Sequence, residues 1–275
     1  MTEPNWAELW RELTEHVRRP DREGESGGGR RPEEWAARFD AGVKRKARER
    51  PYTLLDFVVE KLRPEDTVLD IGAGTGHFAI PFARVARGVT AVEPSASMAA
   101  LLRKNAAAEG LTNIRLVDAR WEDAEVEPHD VAFCSHAMYS SLDLAGFVRK
   151  MERNARNICF LAMRMPSHDG VMRELSRRIH GQPYDSPNFW VGYNVLYDMG
   201  IYANVVMEPF VRCWTDDNLE DALKRARRHL RLGDSTACDD VIRETLARRL
   251  TFRDGQYYWP DGMRSAMMWW TKDRR

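Results

Sequence analysis

The sequence predicts an α/β fold: a mostly parallel sheet with helices on both faces, N-terminal helices before it and helical inserts within it. Three observations predict it. Short β-branched and apolar runs alternate with stretches of helical period, as a sheet built from β-α-β units requires. The run Thr67–Ile71 passes through Gly72, Gly74 and Gly76 directly into an amphipathic stretch with Phe78, Ile80, Phe82 and Val85 on its inner side. A second run, Gly88–Val92, ends in Glu93, about twenty residues after the first glycine, where an acid can accept hydrogen bonds from both ribose hydroxyls of an adenosine cofactor.

Composition narrows the partners. Lys plus Arg and Asp plus Glu number 42 each, so no global field draws the chain to nucleic acid or membrane. Cys134, Cys159, Cys213 and Cys238 contain no C-x-x-C pair, which fits reduced thiols rather than a disulfide frame. The start, Met1-Thr2-Glu3-Pro4, has no apolar signal core, and no run approaches the length of a membrane span. A cytoplasmic protein with no membrane partner is expected.

In chain order, residues 6–19 space Trp6, Leu9, Trp10, Leu13 and Val17 three and four apart, the stripe of an amphipathic helix. That stripe can pack on the main domain or pair with a second copy in a homodimer. Residues 23–30, Glu-Gly-Glu-Ser-Gly-Gly-Gly-Arg, have the composition of a flexible linker within an N-terminal appendage, 1–50, that precedes a main domain, 51–275. Pro32 opens a second helix reaching Arg50, with Trp35, Phe39 and Val43 on one stripe and Lys44, Arg45, Lys46, Arg48 and Arg50 around it. Such a basic run is commonly a solvated face; RNA or an acidic substrate is the alternative. Residues 51–62 form a third helix leading into the first strand.

Beyond Glu93, Pro94 and Ser95 start a helix that buries Met98, Leu101 and Leu102 and closes at Gly110. Residues 113–117 are a third strand followed by Asp118 and Ala119. Residues 130–135 are a fourth, ending at Ser135 and opening into His136, Ala137, Met138 and Tyr139. A helix (142–154) leads to a fifth strand (157–163) that empties into a loop containing His168. An insert at about 166–190, rich in prolines and aromatics, sits where a loop can shape a substrate pocket. A helix (190–199) and a sixth strand (202–214) follow. A second insert, about 216–256, carries two helices, the first of which sets Lys224, Arg225, Arg227, Arg228 and Arg231 against the apolar stripe Leu219, Leu223, Ala226 and Leu230. The chain is predicted to end in a hairpin, residues 256–259 turning at Pro260-Asp261-Gly262 into 264–271.

Asp70 followed by Gly72, Gly74 and Gly76, spaced G-x-G-x-G, resembles motif I of the class I (Rossmann-like) S-adenosylmethionine (SAM)-dependent methyltransferases. A dinucleotide enzyme wants G-x-G-x-x-G, and here His77 stands where its third glycine belongs. The resemblance implies a seven-stranded, mostly parallel sheet whose terminal antiparallel strand inserts beside the fifth. It also implies SAM as cofactor and S-adenosylhomocysteine (SAH) as product. On that reading Asp70, Gly72, Ala73, Gly74 and Gly76 pack against the amino-acid part of the cofactor, and Glu93 with Pro94 serves the ribose. Asp118 and Ala119 serve the adenine, and Ser135 lies beside the methyl group. Helices before motif I fold over the site in this family, which makes Trp35, Phe39 and Tyr52 candidates to cover it.

Methyl transfer from a sulfonium is an in-line displacement with a good leaving group, so alignment and exclusion of water dominate, and a base is needed only when the acceptor carries a proton. His136 is the best-placed base, followed by Tyr139 and His168; a polar pocket wall is the alternative for each. No metal is expected, because the histidines lack tight ligand spacing. After the fourth strand the sequence reads Cys-Ser-His-Ala-Met-Tyr, without the N-P-P-Y or D-P-P-Y of the family's amino-methylating nucleic-acid and protein enzymes. A methyltransferase for a small-molecule acceptor is therefore expected, with nucleic acid not favoured. The alternatives are an RNA or protein methyltransferase, an NAD-linked oxidoreductase and a non-catalytic SAM-binding subunit.

Overall fold

The computed structural model describes residues 4–17, 32–49, 54–182, 184–209, 213–260, 262 and 264–272, with the backbone alone for 43–49. The 23–30 linker, Tyr52 and the side chains of the basic run 44–50 lie outside the described residues. Three helices come first: α1 (Trp6–Val17), α2 (Pro32–Glu49) and α3 (Leu54–Val59). The sheet then alternates with helices through β1 (Thr67–Ile71), α4 (Ala79–Val85), β2 (Gly88–Val92), α5 (Ala96–Ala108), β3 (Ile114–Val117), β4 (His129–Ser135), α6 (Leu144–Arg153) and β5 (Ala155–Met165). After these come α7 (Val171–His180), α8 (Phe189–Asp198), β6 (Asn204–Met207), β7 (Thr215–Asp216), α9 (Leu219–His229), α10 (Asp239–Arg249), β8 (Thr251–Arg253), β9 (Gln256–Tyr258) and β10 (Arg264–Thr271).

Seven strands form one sheet in the order β3-β2-β1-β4-β5-β10-β6, and β10 alone runs antiparallel to its neighbours. Both faces are covered, so the inner strands bury successive residues on alternate sides. Leu69, Ile71, Ala132, Cys134 and Leu161 join the core under α1, α6 and α8. Val68, Val131, Phe133 and Phe160 join the core under α3 and α4. The strand order reverses between β1 and β4, which leaves a crevice at their carboxyl ends where ligands of such sheets bind. Helix α1 spends its stripe inside the chain: Trp10 is fully buried in the α6 and α8 core, and its indole N–H donates to the Ser141 carbonyl at 2.9 Å. No helix among the described residues is long and apolar enough to cross a membrane.

A third core, built from Leu175, Leu223, Ala226, Ile242, Leu246 and Trp259, lies between α7, α9, α10 and a small sheet of order β7-β9-β8. Here the expected C-terminal hairpin is corrected. Residues 256–258 pair with β8 and β7, while β10 inserts between β5 and β6. The reason is the Asp254-Gly255 turn, where both residues have positive φ, 51° and 77°. Arg253 faces Gln256 across it, the two-residue geometry that Asp-Gly favours in hairpins. The expected sixth strand over 202–214 is likewise shorter. It ends at Met207, with Glu208 donating one last backbone bond to Ser265 at 2.8 Å, because Pro209 has no N–H to continue the ladder.

Candidate functional site

The crevice between β1 and β4 is built largely from backbone. After Ile71 the chain folds back on β2, the N–H groups of Gly72 and Ala73 donating to the Val92 carbonyl at 2.8 and 3.1 Å. At Gly72, φ is +75° and a Cβ would stand 2.2 Å from the Ala137 side chain, so only glycine lets the loops after β1 and β4 meet. At Gly74, φ is +56° and a Cβ would approach nothing nearer than Phe39 at 4.0 Å. One face of the loop is therefore open beneath α2. Glu93 closes the other side. One carboxyl oxygen accepts from Gly74 N–H at 2.8 Å and the other from Ser95 N–H at 2.9 Å. Burial raises the pKa of Glu93, and those two N–H groups pull back against it.

Asp70, beneath the loop, is buried, and its Oδ2 has no hydrogen-bond partner. Burial first, and then the charge of Glu93, lift its pKa to about 8, against a pull from the Ala79 N–H. The Thr75 hydroxyl is a second buried polar atom without a partner in the same loop. Native interiors seldom leave such groups unsatisfied. Two of them under an open glycine face fit a site shaped for a polar ligand.

At the tip of β4, His136 takes φ +58°, a conformation that costs a non-glycine residue energy and is concentrated at functional sites. Its Nδ1 lies 3.3 Å from the Tyr139 hydroxyl and its Nε2 lies 3.2 Å from the Ser265 hydroxyl. The Tyr139 oxygen also accepts from the Arg164 backbone N–H at 2.5 Å, and the Arg164 guanidinium sits 4.1 Å from the ring centre. Burial raises the phenol's pKa, partly offset by Arg164. The hydroxyl is thus committed to positioning. Ser135 ends the same strand.

The other named residues are placed as follows. Phe39 and Trp35 stack at 5.5 Å between ring centres on α2, and α2 is tied down by Asn105, whose amide donates to Asp40 and to the Thr75 carbonyl, each at 3.0 Å. Pro94 is exposed next to Glu93, and Asp118 is exposed and paired with Arg103 at 3.0 Å. Ala119 bends back to the Val117 carbonyl at 3.0 Å. His168 lies exposed on the loop after β5, where its carbonyl accepts from Arg173 at 3.4 Å.

Several residues escaped the sequence reading. His77 entered it only as a spacing, yet it is half-buried; burial lowers its pKa, and the charges of Asp40 and Glu208 raise it. Glu208, buried just past the end of β6, and Ser265 on β10 face each other across the sheet, so only the sheet order brings them here. Arg164 on β5 and the Asp185–His229 pair, which joins a loop to α9, are likewise far in sequence from the glycine loop. No local motif marks any of them.

Residues 68–157 match a family described as a methyltransferase domain. An uncharacterized protein of Haemophilus influenzae is 27% identical over 224 residues, covering 78% of this chain and 79% of that one. A 23S rRNA (uracil(1939)-C(5))-methyltransferase RlmD of Photobacterium angustum is 40% identical over 62 residues, which is 22% of this chain and 28% of that protein. The chain thus matches little more than a quarter of that relative. Among solved structures, YcgJ from Bacillus subtilis has a TM-score of 0.55 at 18% identity, covering 80% of this chain and 98% of that one, a likeness of fold.

Proposed function

We propose that this chain, a class I (Rossmann-like) SAM-dependent methyltransferase, methylates a small-molecule acceptor at the carboxyl edge of its sheet. One observation carries the reading: an open glycine face at the β1/β4 crevice, backed by Glu93 and by the unpartnered Oδ2 of Asp70. A cationic cofactor with an amino-acid end and a ribose fits that donor and acceptor set. SAM, when bound, supplies an electrophilic methyl group on a sulfonium whose departure leaves a neutral thioether.

The chain's own residues do the rest. Gly72, Ala73, Gly74 and Gly76 would hold the amino-acid end above Asp70, Glu93 with Pro94 the ribose, and Asp118 with Ala119 the adenine. Phe39 and Trp35 cover the loop; their ring faces attract a cation more than a neutral product and exclude water. His136 and Ser135, at the β4 tip, face the reacting end of the crevice. Tyr139 and Ser265 fix the His136 ring so that it can orient an acceptor or take its proton.

Support for a small acceptor over RNA comes from α9. Three of its four Lys and Arg side chains are already engaged: Lys224 with Asp221 at 3.3 Å, Arg225 with Asp216 at 2.6 Å and Arg227 with Asp239 at 3.4 Å. Paired charges make a weak phosphate-binding face. Calorimetric titration with SAM, SAH and NADH tests the cofactor. Micromolar binding of both sulfur ligands and none of NADH is expected; binding of NADH alone would overturn the reading.

A further inference from the structure

On the same edge of the sheet, a narrow cleft with a volume of about 50 Å³ opens over the end of β5 and the approach to β10. Its walls include Val171, Met172, Trp214 and Trp259, and Arg173, Asp185 and His229 add polarity. The two indoles meet edge to face at 5.4 Å, and the His229 ring stands edge-on to Trp214 at 5.7 Å. His229 Nε2 makes a close bond to Asp185 Oδ2, whose side chain is only 10% exposed. Burial alone would raise the Asp185 pKa; the His229 N–H and charge, with Arg164 beyond them, bring it below its ordinary value. In a neutral imidazole so held, Nε2 carries the hydrogen and Nδ1 the lone pair.

The cleft adjoins the His136 cluster. Arg164 faces Ser265 across β5 and β10, the Ser265 hydroxyl bonds His136, and the charge of Arg164 reaches Asp185. β4 and β5 are adjacent strands, about 4.8 Å apart.

We propose that this cleft holds the methyl acceptor, that the acceptor is a planar phenol, and that His229, oriented by Asp185, takes the phenolic proton. This rests on the methyltransferase reading above. Flat aromatic walls favour a ring. A cationic acceptor would face Arg173 and Arg164, while the one carboxylate, Asp185, is already engaged by His229. A carboxylic acid would arrive ionised and need no base, whereas a phenol has a proton to lose, and Arg173 can stabilise the oxygen as it becomes anionic. As the phenol oxygen forms the new C–O bond, the S–C bond breaks, sulfur leaves with the electron pair as thioether, and the proton passes to His229 and then to water.

The probe is 4-nitrophenol, which absorbs visible light strongly only as phenolate, titrated into the full chain at a pH where the free probe is protonated. Saturable quenching of tryptophan fluorescence together with a phenolate band is expected. His229→Gln should keep the quenching and lose the band. Met172→Trp, which fills the cleft, should weaken binding about tenfold or more. SAH affinity, measured by calorimetry on each variant, should match the parent and so report an intact fold. A phenolate band that survives His229→Gln, or a probe that binds Met172→Trp as tightly as the parent, would overturn the assignment. Tight SAH binding without any phenol binding sinks the assignment alone; failure of the parent to bind SAH sinks the methyltransferase reading and this assignment with it.

Discussion

The crevice around β1 and β4 and the body around α9 and β9 sit on one chain but are built by different means. At the crevice the backbone does the work. Loop N–H groups hold Glu93 and close onto the Val92 carbonyl, and glycine at position 72 lets two loops touch. In the α9 body, side chains do it. The buried carboxylate of Asp216 accepts from Arg225 Nε and Nη2 and from the Trp259 indole at 2.7 Å, and Glu174 draws in both Arg248 and Arg249. The first kind of construction is sensitive to added atoms and the second to removed ones.

The largest effect should come from the second region. Asp216→Ala leaves a buried indole N–H without its acceptor and leaves the Arg225 guanidinium only the Thr215 carbonyl at 3.2 Å, a loss of about 3–5 kcal/mol when one partner of such a pair is removed. Urea denaturation followed by tryptophan fluorescence should show the Trp214 and Trp259 environment melting first, while SAH affinity holds. If SAH binding falls in step, the two regions form one cooperative unit and the contrast fails.

Gly72→Ala tests the other side. Its Cβ meets Ala137 at 2.2 Å in a positive-φ conformation, so about 2–4 kcal/mol of strain and overpacking is expected, with loss of SAH binding. Gly233→Ala is the control in the α9 body. It has positive φ and nothing within 4 Å, and should cost about 1 kcal/mol and leave SAH binding alone.

The same contrast explains what the sequence revealed. Residues 66–93 announce their strand, glycine turn, helix and acid in contiguous order, because a backbone-built site must be written in contiguous residues. Glu208 reaches His77 and Ser265 reaches His136 only after β10 slips between β5 and β6, while Asp185 and His229 pair when α9 packs on the loop before α8, and no local pattern encodes either step. The hairpin error has a narrower cause. The Asp254-Gly255 turn was a stronger hairpin signal than Pro260-Asp261-Gly262, and it claims residues 256–258 for the small sheet.

The regions should also answer pH with opposite signs. Asp70 has a folded pKa of about 8 against an ordinary 3.8, so the native state holds an extra proton between those values. Its contribution to stability is present at low pH and is lost as pH rises through about 8. Asp185 is lowered, so its contribution is present at neutral pH and is lost as pH falls through its folded value. Asp70→Asn should therefore flatten the fall in urea midpoint between the ordinary value of 3.8 and about 8, and Asp185→Asn should flatten the acid limb. A midpoint whose fall between 3.8 and about 8 is the same in the parent and in Asp70→Asn would show that Asp70 is not held protonated.

The smallest effect on stability sharpens the contrast furthest, because it separates binding from building. Asp118 and its partner Arg103 are both more than half exposed at 3.0 Å, and such surface pairs contribute about 0–1 kcal/mol. Asp118→Ala should leave the urea midpoint nearly unchanged. If the carboxylate accepts from an adenine amine, the substitution should nevertheless weaken SAH binding and erase any preference for SAH over its inosine analogue, which has a ring carbonyl in place of that amine. Discrimination that survives the substitution would leave adenine recognition to backbone groups such as those at Ala119, and would place this contact, too, on the backbone side of the comparison.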